Sequence, residues 1–352
     1  MSTASVVLNA GHRRKKVSAA RTAAVREAAR RLGYAPNYHA RSMKLGRADS
    51  IGVVLDTGLT EDETLGGHRL SNSYFGALVG AIDSRLTAKG FCTTIIGGTG
   101  DATALQRTLA ALRQRRLDGV VVLTGTQSVA GVRQFVEADR PAVLVEYPTE
   151  IDLPVVNWDE RKGVALAIEH LAGLGHREIL WLGPEGLDSP AGAREVLFVR
   201  EAWDAQRRGS SCRFRVRPTL GQADFPEAAV ADGATEALLQ LTGSERPPFT
   251  GIVCFNDATA IGACRALTQM GMRIPEDVSV VGIDDLHAAF CIPRLTSISH
   301  RLKEMGKRAA DMLNEAIGDT DAWHAMLGRR VVVEPTLSVR ESTGPAPETG
   351  GD

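Results

Sequence analysis

Four consecutive cations, Arg13, Arg14, Lys15 and Lys16, sit in an N-terminal segment that is strongly basic. Residues 1–47 hold eleven Lys or Arg and one acid, Glu27, whereas the 352-residue chain as a whole carries a net charge of only −1. The body is therefore acidic. A basic head on an acidic body points to a polyanion-binding module joined to a second function. A solvated basic tail is the rival reading, but residues 18–47 carry helix punctuation that tails lack. Catalytic spacings are missing: there is no GxSxG, HExxH or Walker A run. The run IIGGTGD follows a strand-like stretch without GxGxxG spacing and reads as a turn. His170 and His176 flank a helix end without matched acids or cysteines and read as structural. Cys92, Cys212, Cys254, Cys264 and Cys291 stand singly, which fits a reducing cytoplasm and neither a disulfide framework nor a zinc module. Neither a metal, a cofactor nor an enzymatic activity is expected.

The elements that carry these groups follow from the pattern. Ser18 caps a helix through AARTAAVREAARRL, with Ala24, Val25, Ala28, Ala29 and Leu32 on one stripe. Gly33 stops it and Pro36 prevents its return. A second short helical stretch, NYHARSMK, follows. From Ser50 the apolar runs SIGVVL, TTIIG, DGVVVL, AVLVE, EILWLG, GIVCF and VSVVGID recur, with helical patterns such as YFGALVGAIDSRLTAKG, GVALAIEHLAGLG and TAIGACRALTQMG between many of them. Nearly continuous apolar strands alternating with helices predict βαβ units on parallel sheets. The length predicts two lobes, with a small-molecule site at the carboxyl ends of the strands between them. The tail STGPAPETGGD reads as disordered. No apolar run reaches the roughly 18 residues that a membrane span needs.

The stretches TASVVLN, VSAARTAAVREAARRLGYAPNYHARSMKLGRADSIGVVL, SYFGALVGAID, LDGVVVL, WDERKGVALAIEHLAGLGHREILWLG, FNDATAIGACRALTQMGMRIPEDVSVVGIDD and PRLTSI, in this order, resemble the lactose-repressor (LacI/GalR) family of bacterial transcription regulators. The resemblance runs from Ser2 to about Ser342. It implies an α/β fold: a two-lobed core like that of periplasmic binding proteins, its two parallel sheets flanked by helices, behind a small all-α DNA-binding head. The implied division is a partial helix-turn-helix over 1–36, a hinge helix and linker over 37–49, and a core over 50–342. Within the core, the first lobe is expected at about 50–155 and 287–318, the second at about 156–286 and 319–342, and a disordered tail at 343–352.

STASVVLN matches the family's recognition helix, which enters the major groove. Ser2, Thr3, Ser5, Val6 and Asn9 fall on DNA-facing positions, Arg13 and Arg14 in the phosphate-holding loop behind them, and Tyr34 beyond the next helix. Val6 replaces a frequent Arg and cannot make the bidentate pair that reads guanine. The family's first helix would lie before Met1, so the expected start is upstream; a head that grips DNA weakly is the alternative. In the hinge, Asn37, Ala40, Arg41, Met43 and Lys44 match groove-facing positions, Met43 standing where the family has a wedging Leu. Ligand positions implied by the resemblance are Tyr74, Phe75, Thr124, Asp159, Arg194, Asn256 and Asp284. Phe75 also reads as a packed helix-start aromatic, Asp159 as a helix-start acid and Arg194 as a surface ion pair, while Asp257 and Asp285 read as cap or turn residues. The implied partners are a near-palindromic operator, a sugar or polyol effector and a second copy of the chain. The implied role is a repressor of a carbohydrate operon. A cytoplasmic solute-binding protein or a DNA-binding-deficient regulator is the alternative.

Overall fold

Two helices form the head: α1 (Thr3–Leu8) and α2 (Ala19–Arg31). The computed structural model describes residues 3–8, 17–34, 46–55, 73–97, 101–123, 129–147, 151–183, 213–218, 227–242 and 247–348. Ser18 caps α2 as its residue type requires, its Oγ accepting from the Arg21 N–H at 3.4 Å. Val7 of α1 is buried, and α1 packs on α2. The stripe on α2 is only partly covered, and Leu32 just beyond it is 75% exposed. The hinge stretch 37–44 lies outside the described residues.

From Ser50 the chain alternates as expected: β1 (Ser50–Val54), α3 (Ser73–Ala88), β2 (Cys92–Ile96), α4 (Asp101–Arg113), β3 (Gly119–Leu123), α5 (Val129–Glu137), β4 (Ala142–Val145) and β5 (Val155–Trp158). There follow α6 (Glu160–Gly173), β6 (Glu178–Gly183), β7 (Arg213–Pro218), α7 (Glu227–Thr242), β8 (Gly251–Cys254), α8 (Asp257–Gln269), β9 (Ser279–Ile283) and β10 (Thr296–Ser299). The chain closes with α9 (Leu302–Ala316), α10 (Thr320–Met326), β11 (Arg330–Val333) and β12 (Thr336–Ser338). Each of the seven apolar runs read from the sequence is a strand.

The strands form two six-stranded sheets, ordered β11-β5-β4-β3-β1-β2 and β12-β10-β9-β8-β6-β7. All described pairs are parallel except β10 with β12. The central strands are buried on both faces, which is why they read as unbroken Val and Ile runs. In the first lobe α9 packs on α3, and Arg85 of α3 grips Asp311 of α9 through two hydrogen bonds of 2.9 and 3.0 Å. In the second lobe α8 packs on α7.

Two expected boundaries differ from the strand pairing. Residues 287–318 were expected in the first lobe and 319–342 in the second. Instead β10 pairs with β9 in the second sheet, and β11 pairs with β5 in the first. The chain thus returns to the first lobe only after Ser299 and leaves it after Val333. The expected disorder from residue 343 also fails for its first part. Thr343 Oγ1 lies 2.9 Å from both His170 Nε2 and Thr296 Oγ1, Gly344 N donates to Ser279 Oγ at 3.1 Å, and Ala346 N donates to Leu174 O at 2.9 Å. These backbone and side-chain partners pin a segment whose composition reads as loose. They also give His170 and His176 the structural work expected of them: His176 is fully buried between Thr250, Ser279 and Gly344.

Candidate functional site

The chain passes between the lobes three times: after β5, after β10, and from β11 to β12. The first two passages each present a ring at a strand's carboxyl end. Trp158 and His300 stack with centroids 4.0 Å apart and planes 22° from parallel. Tyr74, near the start of α3, meets His300 edge-on at 5.8 Å and 72°. This is the geometry that aromatic quadrupoles prefer. Trp158 is held from below by Gly163 of α6, where even a methyl group would fall 2.3 Å from the indole.

Asp284, at the carboxyl end of β9, places Oδ1 3.7 Å from His300 Nε2. Its backbone has φ 114°, which L-residues rarely adopt, while its N–H donates to Ile298 O at 2.8 Å. A strained non-glycine backbone at a strand end is characteristic of a residue aimed by its surroundings. Glu146, at the end of β4, also has positive φ, 58°. Asp257 holds the loop after β9 in place: its Oδ2 accepts from the N–H groups of Leu286, His287 and Ala288, and its Oδ1 from the Ser297 hydroxyl at 2.7 Å. Asp285 takes Arg340 at 2.6 Å and the Ser338 hydroxyl at 2.7 Å.

Burial drives the electrostatics of this group. It pushes the His300 imidazole down to about 3, so the ring is neutral at ordinary pH. It pushes the Asp284 carboxyl well above its usual range, and the nearby charges of Asp257 and Glu146 add to the rise. It raises the Tyr74 phenol in the same way, with Glu146 as the leading neighbour. Both nitrogens of His300 are shielded from solvent and lack a hydrogen-bond partner. Across the cleft, Glu227 at the start of α7 accepts from the Ser73 N–H at the start of α3, 2.9 Å away, and pairs with His287 at 3.0 Å. A carboxylate from one lobe therefore caps a helix of the other.

Of the ligand positions implied by resemblance, Tyr74 and Asp284 converge on His300. Phe75 does not join them: it lies in the first lobe's core, 8% exposed, with its ring against the edge of Tyr74. Asp159 is the N-cap of α6, accepting from Lys162 N at 2.9 Å. Asn256 is the N-cap of α8, its Oδ1 accepting from the Thr259 N–H and hydroxyl at 2.8 Å. Thr124 and Arg194 lie outside the described residues. In the head, Thr3 and Tyr34 are exposed. Ser5 and Val6 lie on α1 with side chains outside the described residues, as are Ser2, Asn9, Arg13, Arg14, Asn37, Ala40, Arg41, Met43 and Lys44 altogether. Sequence reasoning missed Trp158, His300, Glu146 and Glu227. Their shared signal is position: each stands at the end of a strand or the start of a helix that faces the other lobe. Among the described residues no three His, Cys, Asp or Glu side chains gather as a metal site, and no helix is long and apolar enough to cross a membrane.

Residues 168–343 match the periplasmic binding protein-like domain family. The HTH-type transcriptional regulator reg1 of Streptomyces lividans is 31% identical over 293 residues, covering 80% of both chains. The HTH-type transcriptional repressor PurR of Mannheimia succiniciproducens is 29% identical over 323 residues, covering 90% of this chain and 88% of its own. Among solved structures, the lac repressor dimer bound to operator and the anti-inducer ONPF superposes with a TM-score of 0.75 at 22% identity, over 97% of this chain and 94% of that one. A complex of the transcriptional regulator CelR with cellobiose superposes at 0.64 and 24% identity, over 96% and 94%. With relatives of this identity matched along most of their length, and with both lobes and the head helices in the corresponding order, the chain belongs to the LacI/GalR family of transcription regulators.

Proposed function

We propose that this regulator is a cytoplasmic, dimeric repressor whose affinity for a near-palindromic operator changes when a sugar or polyol enters the cleft between its lobes. The observation that carries the effector half is the buried polar group of Tyr74, His300 and Asp284 at the lobe junction, where two crossover segments meet. Polar groups buried in a cleft discriminate well, because a ligand lacking the matching hydroxyl leaves them unpaired. Cellobiose in the CelR complex is a polyol of the kind proposed. The DNA half rests on the basic head and on α1, with Thr3, Ser5, Val6 and Asn9 toward the bases, Arg13 and Arg14 on phosphates, and the hinge positions 37–44 in the minor groove. The dimer is supported by the lac repressor likeness and by Phe290 and Ile292, 87% and 97% exposed on the second lobe, a patch that a second copy would cover.

The test is operator selection from random DNA with the full chain, followed by anisotropy titrations of the selected site with and without a sugar panel. The expected result is a change of about tenfold or more in operator affinity with one sugar. A sugar that binds the protein and leaves DNA affinity unchanged would sink the coupling. The exposure of Leu32 beside α2 favours a second reading, a head that grips mainly phosphates; it would give a steep salt dependence and little preference among sequences.

A further inference from the structure

We infer that the imidazole of His300 forms a hydrogen-bonding wall of the effector cleft that selects an uncharged polyol over the same sugar bearing a phosphate. The inference rests on the polyol reading above and adds both a contact residue and a charge class. Three observations carry it. First, the ring is fixed: Trp158 stacks on one face and Tyr74 meets its edge, so its nitrogens point in set directions. Second, those nitrogens are buried and unpartnered. A neutral imidazole offers one donor and one acceptor, and a sugar hydroxyl is both, so one or two hydroxyls would satisfy what the protein leaves unsatisfied. A phosphate oxygen can only accept. Third, the charged groups that act on this cluster are all acids. Glu146 at the end of β4, Glu160 opening α6, Glu227 opening α7, Asp257 opening α8 and Asp284 at the end of β9 are the charges that act most strongly on Tyr74 and Asp284. The neighbouring Arg340 is committed to Asp285 and to the Leu295 carbonyl. An anionic effector entering this cleft would meet repulsion in a medium of low effective dielectric.

The test uses the full chain, calorimetry, and matched pairs of probes: D-ribose and ribose 5-phosphate, D-galactose and galactose 6-phosphate, cellobiose and cellobiose 6-phosphate. His300→Phe keeps a ring to stack on Trp158 and removes both nitrogens; His300→Gln keeps a donor and an acceptor. For the neutral sugar that binds, the Phe variant is expected to lose about tenfold or more in affinity and the Gln variant to stay within about threefold. The phosphorylated partner is expected to bind roughly a hundredfold more weakly. Should the Phe variant fail to fold, NMR of the wild-type His300 imidazole nitrogens, assigned by their loss in the Gln variant, decides the same question: sugar must shift them. Equal binding by the Phe variant, loss of binding by both variants alike, unshifted nitrogens, or a phosphorylated sugar that binds as well as the neutral one would each overturn the assignment. If no neutral sugar binds the wild-type protein, the polyol reading itself fails and takes this one with it.

Discussion

Protonation of His300 has a definite sign. Its folded value, about 3, lies below the ordinary 6.5, so between the two the unfolded chain binds more protons than the folded one. Its contribution to stability is complete above the ordinary value and is lost as pH falls through that window. His170 and His176, also lowered by burial, act in the same direction. Asp284 acts oppositely, since its raised value favours the fold at low pH and the benefit disappears as pH rises through it. His300→Gln is therefore expected to shrink, without abolishing, the drop in melting temperature between about pH 7 and pH 5, measured by circular dichroism. Asp257→Ala removes the acceptor for three backbone N–H groups and one hydroxyl at once. A loss of roughly 3 kcal/mol or more is expected in urea denaturation, because each orphaned buried donor costs about 1–3 kcal/mol. Tyr74 and Asp284 were legible in the sequence because they sit in runs that resemble a known family. His300 was not, since its partners at positions 74, 158 and 284 are brought together only by the crossing of two lobes.

Helix packing makes two glycines behave oppositely. A Cβ on Gly262 of α8 would fall 2.1 Å from the Ala231 carbonyl oxygen of α7, whereas one on Gly80 of α3 meets nothing within 4 Å. Gly262→Ala should force the two helices apart and cost about 1–3 kcal/mol. Gly80→Ala should stabilise by up to about 1 kcal/mol, because alanine loses less backbone entropy in a helix. Chemical denaturation of the two variants side by side checks both signs. The same rule of burial explains which strands could be read. Runs such as GVVVL lie between two layers of helices and are apolar throughout. The strand TSIS is just as buried at its first three positions, yet Thr296 and Ser297 are polar, satisfied by the tail and by Asp257. Periodicity has no means of seeing a buried strand whose polar groups are paired by residues 40 or more positions away. The misjudged tail is the other side of that arrangement: Ser342, Thr343 and Gly344 are what Thr296 and Ser279 pair with.

Across the whole molecule, the lobes are joined by three crossovers and tied at the cleft mouth by Glu227 to Ser73. Glu227→Ala removes that cap, so the effector-free chain should scatter with a larger radius of gyration in small-angle X-ray measurements while its melting temperature changes little. An unchanged radius would mean that the crossovers alone set the lobe angle. The interleaving also dictates the order in which the protein can be made. The first sheet lacks its edge strand β11, and Gly119 of β3 lacks the Leu313 side chain that lies against it, until α9 and β11 have been synthesised. During translation, then, the N-terminal half must wait on the ribosome with an apolar sheet face uncovered while the other lobe is built. The lobe nearest the DNA is the first begun and among the last finished, which makes a nascent or truncated regulator a client for chaperones instead of a premature repressor.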